Sequence, residues 1–221
     1  MLRYEPPERR ELAPSEGSPT PSRVGLAAAQ SGALIIVGGV PGAGKSTAIA
    51  RATAGLGGVR VVDPEQVSGW LRQRLPASVP YRRYRWLVHT AHAVRTVAQL
   101  LVGPSSSGRL VLHDPGTRFG RRRTLIALAR RAGWRVTELY IDVDRTSAQE
   151  GQRRRGRVVR SFDEHWQNWQ RLRPSLAGGS RGTDDGSVLL VDRANAAEVL
   201  RQVCASRRTS VALESVTALH S

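Results

Sequence analysis

Ala33-Leu34-Ile35-Ile36-Val37-Gly38-Gly39-Val40-Pro41-Gly42-Ala43-Gly44-Lys45-Ser46-Thr47 decides the architecture of this chain. Its first five residues are a continuous apolar run, the composition of a strand buried on both faces. Gly39 to Ser46 then fits the pattern G-x-x-x-x-G-K-[ST] at every specified position. Glycines let a backbone curl until several N–H groups point at one anion, and a following helix, read here from Ser46 onward, adds its positive end. Lys45 is the only lysine among 34 Lys+Arg, which leaves 33 arginines. A chain that uses arginine everywhere else keeps lysine where a compact point charge must reach terminal phosphates. The stretch predicts a nucleotide site. Gly39, Pro41, Gly42, Ala43, Gly44, Lys45, Ser46 and Thr47 would surround the phosphates of ATP, with the Ser46 hydroxyl on Mg²⁺.

Outward from this loop, short apolar strands alternate with helical patterns. Strands are expected at 59–62, 109–113, 136–141 and 188–191, and helices at 65–75, 84–102, 121–132, 146–154, 161–171 and 194–205, with a loop over 174–186. That alternation specifies an α/β fold, a parallel sheet of about five strands sandwiched by helices. It divides the chain into a flexible N-terminal arm (1–30), a domain (31–205) with an Arg-rich lid near 145–160, and a C-terminal tail (206–221). Ligands of such sheets lie at the carboxyl ends of the strands, so Gly39, Asp63, Asp114 and Asp142 should ring one crevice.

Composition removes several classes. No apolar run approaches the roughly 20 residues that a membrane span needs. The first 30 residues lack an apolar signal core. A single cysteine, Cys204, excludes an internal disulfide and a Cys-rich metal cage, which points to the cytoplasm. The formal net charge of +16, from 34 Lys+Arg against 18 Asp+Glu, calls for an anionic substrate or a nucleic-acid partner. Oligomeric state is left open.

Two acids and two groups of arginines carry the expected chemistry. Asp114 ends a strand and is the candidate for the second Mg²⁺ contact, with a turn role before Pro115-Gly116 as the alternative. Asp63 follows the second strand, opposite the loop, where a carboxylate can accept the proton of an acceptor hydroxyl. Asp63-Pro64-Glu65 also starts a helix well, and the two roles can coexist. Arg118 and Arg122 lie just beyond Asp114, whereas Arg121 and Arg123 read as surface. Arg155 and Arg157 flank Gly156, a hinge that would let them close over a transferring phosphoryl. His89 and His92 read as a satisfied polar face, His113 as a strand end beside Asp114, and Trp166 and Trp169 as core.

Taken together, the pieces from Leu34 to Val191 resemble the P-loop kinase-like "AAA family ATPase" proteins related to polynucleotide kinase and zeta toxin. The loop Gly39 to Thr47 looks like theirs throughout. Asp63 matches the acid that in polynucleotide kinases serves as base for the acceptor hydroxyl. Thr117, Arg118 and Arg122, followed by Leu125-Ile126-Ala127-Leu128-Ala129-Arg130, are similar to their turn and helix, and Gly151-Gln152-Arg153-Arg154-Arg155-Gly156-Arg157 to their lid. Two positions depart: Gln66 stands where those kinases carry an arginine after the base, and Gly151 replaces the first lid arginine. His113-Asp114-Pro115 does not supply the Asp-Glu pair of AAA+ motors. The resemblance implies a P-loop NTPase of nucleoside-kinase-like type. The expected activity is transfer of the γ-phosphoryl of ATP to a hydroxyl, with Lys45, Asp63, Arg118 and Arg155 catalytic. Arg122 and Arg157 would add to the phosphate site, and Ser46 and Asp114 would hold Mg²⁺. The alternative is a nucleotide-dependent nucleic-acid-binding ATPase module with slow hydrolysis.

Overall fold

A computed structural model describes residues 32–105, 108–156, 161–177 and 186–206. The predicted arm, nearly all of the predicted tail and Arg157 lie outside these residues. Strand β1 (Ala33–Gly38) is the centre of a five-stranded sheet in the order β2-β3-β1-β4-β5. Its neighbours are β3 (Arg109–His113) and β4 (Arg135–Asp142), and β2 (Val59–Val62) and β5 (Gly186–Asp192) form the edges. Every pairing is parallel, as the apolar runs require. In register, Val37 faces His113 and Gly38 faces Tyr140, so the loops after β1 and β3 leave the sheet side by side.

Alternate residues of β1 go to opposite faces. Ile35 and Val37 join α1 (Lys45–Thr53), α6 (Phe162–Ala177) and α7 (Ala196–Ala205), packing with Ile49, Trp169 and Leu200. Leu34 and Ile36 join α3 (Tyr81–Leu101) and α4 (Phe119–Arg131), packing with Leu100, Leu125 and Trp134. Burying each such side chain contributes about 1.5–3 kcal/mol, so covering both faces is the main stabilising term. A smaller cluster of Leu71, Tyr84 and Val88 holds α2 (Pro64–Arg74) to α3. The remaining helix, α5 (Arg145–Arg153), follows β4.

Two helices run further than expected. Helix α3 begins at Tyr81 rather than at 84, because buried Tyr84 stacks edge-to-face on Tyr81 at 5.2 Å and draws in the first turn. Helix α6 continues through Pro174 to Ala177, where a loop was expected. Proline there removes one helical hydrogen bond, but Leu172 and Leu176 on either side are buried and keep the segment on the core. No described helix is long and apolar enough to cross a membrane.

Candidate active site

The loop after β1 is shaped by glycines in the left-handed region: Gly39, Gly42 and Gly44 have φ of 132°, 89° and 100°. Space forbids side chains as well, since a Cβ on Gly42 would stand 2.0 Å from the Ala148 carbonyl oxygen. The loop is fastened to the end of β3, where Gly39 N–H donates to the Pro115 carbonyl at 3.0 Å and Asp114 N–H to that of Val37 at 3.2 Å. Lys45 begins α1 and is buried. Its ammonium folds back to donate to the carbonyls of Gly39 (2.8 Å) and Val40 (2.9 Å). Burial lowers its pKa to about 8, against the opposing pull of Asp114 and Asp63.

Asp63 does two things. One oxygen caps α2, accepting from Glu65 N–H at 2.8 Å, while Gln66 Oε1 accepts in return from the Asp63 N–H at 3.4 Å. The expected cap is therefore present as a full capping box, and Gln66 has a structural role in it. Its other oxygen lies 3.1 Å from His113 Nδ1. Burial alone would raise this carboxyl, but the bonds from His113, Glu65 N–H and Ser46 overcome it and hold the pKa at about 2. Asp63 is thus a firm anion. Burial keeps His113 below the ordinary imidazole value, hence neutral, so its Nδ1–H donates to Asp63. The Ser46 oxygen sits 3.2 Å from the same nitrogen. His113 consequently faces Asp63 and Ser46, not the adjacent Asp114 as its position in sequence suggested. Strand order explains this: β3 lies between β1 and β2, so its last residue bridges the ends of both.

Asp114 is buried, accepts from Gly116 N–H at 2.9 Å and places its second oxygen 2.9 Å from Arg121 Nε. The turn role and the position beside the loop coexist. Arg121 is exposed, as expected, and its Nε nonetheless pairs with this carboxylate. Arg118 is the exposed N-cap residue of α4, near His89 and His165, whose pKa values burial lowers first and Arg118 lowers further. Thr117 pairs with His165 Nδ1 at 2.6 Å, both buried, and so ties the turn to α6. Arg122 stands apart from the phosphate expectation: its Nε and Nη2 both go to buried Glu138, the latter at 2.7 Å, and Tyr140 donates to the same carboxylate at 2.9 Å. In this arrangement Arg122 braces β4 against α4 instead of reaching the loop.

On the other flank, Arg155 Nη2 lies 3.4 Å from the Thr47 hydroxyl, and its charge helps depress Lys45. The position assigned to a lid arginine is thus already near the loop. Gly151 packs so closely that a Cβ would stand 2.3 Å from the Gly42 carbonyl oxygen, which explains why the lid's first arginine is replaced here. Sequence reading missed Arg193. It follows β5 and donates to the carbonyls of Ala43 (3.2 Å), Gly42 (2.6 Å) and Ser147 (3.1 Å). Its signal was available, since a charged residue just past the last strand falls under the same strand-end rule.

Oxygen donors suit Mg²⁺, which keeps several waters and takes few protein ligands. The Ser46 hydroxyl beside the loop and the Asp114 carboxylate beneath it have that chemistry.

Residues 34–176 match the family model described as AAA domain. The chain belongs to this family. Among curated proteins, none matches it in sequence. Among solved structures it is similar to one from the PezAT chromosomal toxin–antitoxin system of Streptococcus pneumoniae, with 16% identity, a TM-score of 0.50, and coverage of 86% of this chain and 84% of that one. It is also similar to the tunicamycin resistance protein of Deinococcus radiodurans, with 20% identity, a TM-score of 0.48, and coverage of 79% and 94%. A gluconokinase from Sinorhizobium meliloti shares 18% identity at a TM-score of 0.40, with coverage of 86% and 97%. The AAA-domain chain is an α/β protein whose central strand ends in the glycine loop Gly39 to Ser46.

Proposed function

We propose that this AAA-domain protein transfers the γ-phosphoryl of ATP to a hydroxyl of a separate acceptor. One observation carries the reading: Ser46, at the mouth of the phosphate loop, and Asp63, two strands away, converge on His113 Nδ1 at 3.2 and 3.1 Å. A phosphate site and an anion able to hold a hydroxyl thus share one small space.

Phosphoryl transfer asks the protein for positioning and charge neutralisation more than for covalent help. Lys45 leaves the Gly39 and Val40 carbonyls to meet the terminal phosphates, and the loop amides hold the rest. Ser46 and Asp114 would hold Mg²⁺, which when bound offsets charge on the phosphate oxygens. Asp63 accepts the hydrogen bond of the acceptor hydroxyl and takes its proton as the new P–O bond forms and the bond from the γ-phosphorus to the bridging oxygen breaks, that oxygen leaving with ADP. At a pKa of about 2 it is a weak base, which suits a loose transition state in which proton transfer comes late. Arg155 offsets charge on the phosphoryl from the lid side. A single, buried Cys204 and ATP-dependent chemistry suit the cytoplasm.

The test is ATP consumption with Mg²⁺, alone and with oligonucleotide 5′-hydroxyls, nucleosides, sugar nucleotides and aminoglycosides. Stimulation by one acceptor class, with phosphate recovered on it, supports the reading. Tight ATP binding that no acceptor converts into stimulated turnover refutes it.

A further inference from the structure

On the acceptor side of the cleft, one face of α3 meets the start of α4. His92 is buried beside the end of β3, where its Nε2–H donates to the His113 carbonyl at 3.1 Å. Its Nδ1 is buried without a hydrogen-bond partner. His89 and Arg85 continue the same face at spacings of three and four residues, and Arg85 donates to His89 at 3.2 Å. By helix rise, Arg85 starts roughly 10 Å beyond His92, past the end of the sheet. Opposite stand Arg118 at the N-cap of α4 and Arg121 one turn on. Arg121 has Asp114 at 2.9 Å. Among the described residues no carboxylate pairs with Arg85 or Arg118. Burial and neighbouring arginines lower the pKa of His89, and burial, His113 and Arg121 lower that of His92, so neither adds charge; His89, whose Nε2 accepts from Arg85, keeps its Nδ1–H to donate.

Converging guanidinium groups, two of them without a paired carboxylate among the described residues, form a receptor for an anion. The geometry points to Arg85 and Arg118, assisted by Arg121 and His89, as a subsite for an anionic group on the acceptor, so that the substrate is a hydroxyl compound that also carries a phosphate or a carboxylate. The inference rests on the phosphotransferase reading. It also accounts for a cluster that lies across Asp114 from Lys45 and Arg155, the groups nearest the loop.

The test separates the two claims. Protein saturated with a non-hydrolysable ATP analogue and Mg²⁺ is titrated calorimetrically with inorganic phosphate. Binding at a second site is expected, weakened at least about tenfold in Arg85→Leu and in Arg118→Leu. Arg85 is exposed, so Arg85→Leu should fold and bind the ATP analogue as the wild type does. Absence of phosphate binding to the loaded wild type, binding unchanged in both variants, or equal loss of analogue affinity in Arg85→Leu would overturn the subsite. In the turnover assay, hydroxy acids and hydroxy phosphate esters are set against their uncharged counterparts. Preference for one anionic set identifies the group, and equal rates with the uncharged compounds reject the inference. Phosphate binding that is lost in the variants, with no acceptor consumed, would sink the phosphotransferase reading and leave the anion site standing.

Discussion

Replacing Asp63 by asparagine and, separately, by alanine divides the two jobs of this carboxylate. Its Oδ1 caps α2, and its Oδ2 faces His113. Asparagine caps a helix about as well as aspartate, whereas alanine costs about 1 kcal/mol. For a domain of this size that loss lowers Tm by about 2–4 °C. In Asp63→Asn the side-chain oxygen can keep the cap while the amide turns toward His113, whose proton moves to Nε2. Tm should therefore fall in Asp63→Asn, which keeps the cap but loses the charge that His113 stabilises, and fall further in Asp63→Ala. Both variants remove the anion that orients the acceptor hydroxyl. Each should lose at least about 100-fold in transfer rate, or about 2.7 kcal/mol of barrier. Neither alters the phosphate loop, so ATP affinity should hold. Thermal melts, equilibrium ATP binding and single-turnover transfer to the stimulating acceptor read the three quantities separately. If Asp63→Asn transfers within about threefold of wild type, or if its rate falls only as far as ATP affinity falls, Asp63 is a helix cap and nothing more.

Further outcomes follow from the same geometry. Lys45→Ala should weaken ATP binding and abolish turnover, and an unaffected variant would remove the central claim. The folded pKa of Lys45, about 8, lies below the unfolded value of 10.5, so ATP must meet an ammonium that burial disfavours. ATP affinity should be full below pH 8 and fall by about tenfold per pH unit above it, with net proton uptake on binding near pH 8, measurable by calorimetry in buffers of different ionisation enthalpy. A flat profile from pH 7 to pH 9.5 or so would contradict it. Arg193→Met removes donors to three carbonyls around the loop and should raise the KM for ATP at least about tenfold, with melting nearly unchanged. Gly151→Ala drives a Cβ toward the Gly42 carbonyl and should cost about 1–3 kcal/mol, seen in melting, together with weaker ATP binding.

What could be read beforehand was whatever a short stretch of chain determines by itself. The strand and glycine loop from Ala33 to Thr47 are such a stretch, and so are the acids at strand ends, because both follow from local pattern and from the rule that parallel strands present ligands at their carboxyl ends. His113 could not be read that way. Its partners depend on β3 lying between β1 and β2, a fact of sheet order that adjacent residues do not encode. Arg122 misled for a similar reason: Glu138 sits inside an otherwise apolar strand, and only the packing of α4 on β4 reveals the pair. Arg121 and Arg123 belong to one charge run in sequence and both are exposed, yet helical geometry pairs Arg121 with buried Asp114. Pro174 signalled a stop, and burial of Leu172 and Leu176 outweighed it.

The folded-back lysine also gives the chain an unusual reactivity. Amine-directed reagents attack the uncharged form, and Lys45 is the only lysine side chain in the sequence, with its pKa already near 8. Acylation would therefore fall on one side-chain amine, buried at the floor of the nucleotide site, and peptide-level mass analysis would separate it from acylation of an α-amine. Bound ATP should shield that amine both by covering it and by holding it protonated. A mass spectrum taken after a brief pulse of acylating reagent would then report occupancy of the loop directly, before any acceptor has been identified.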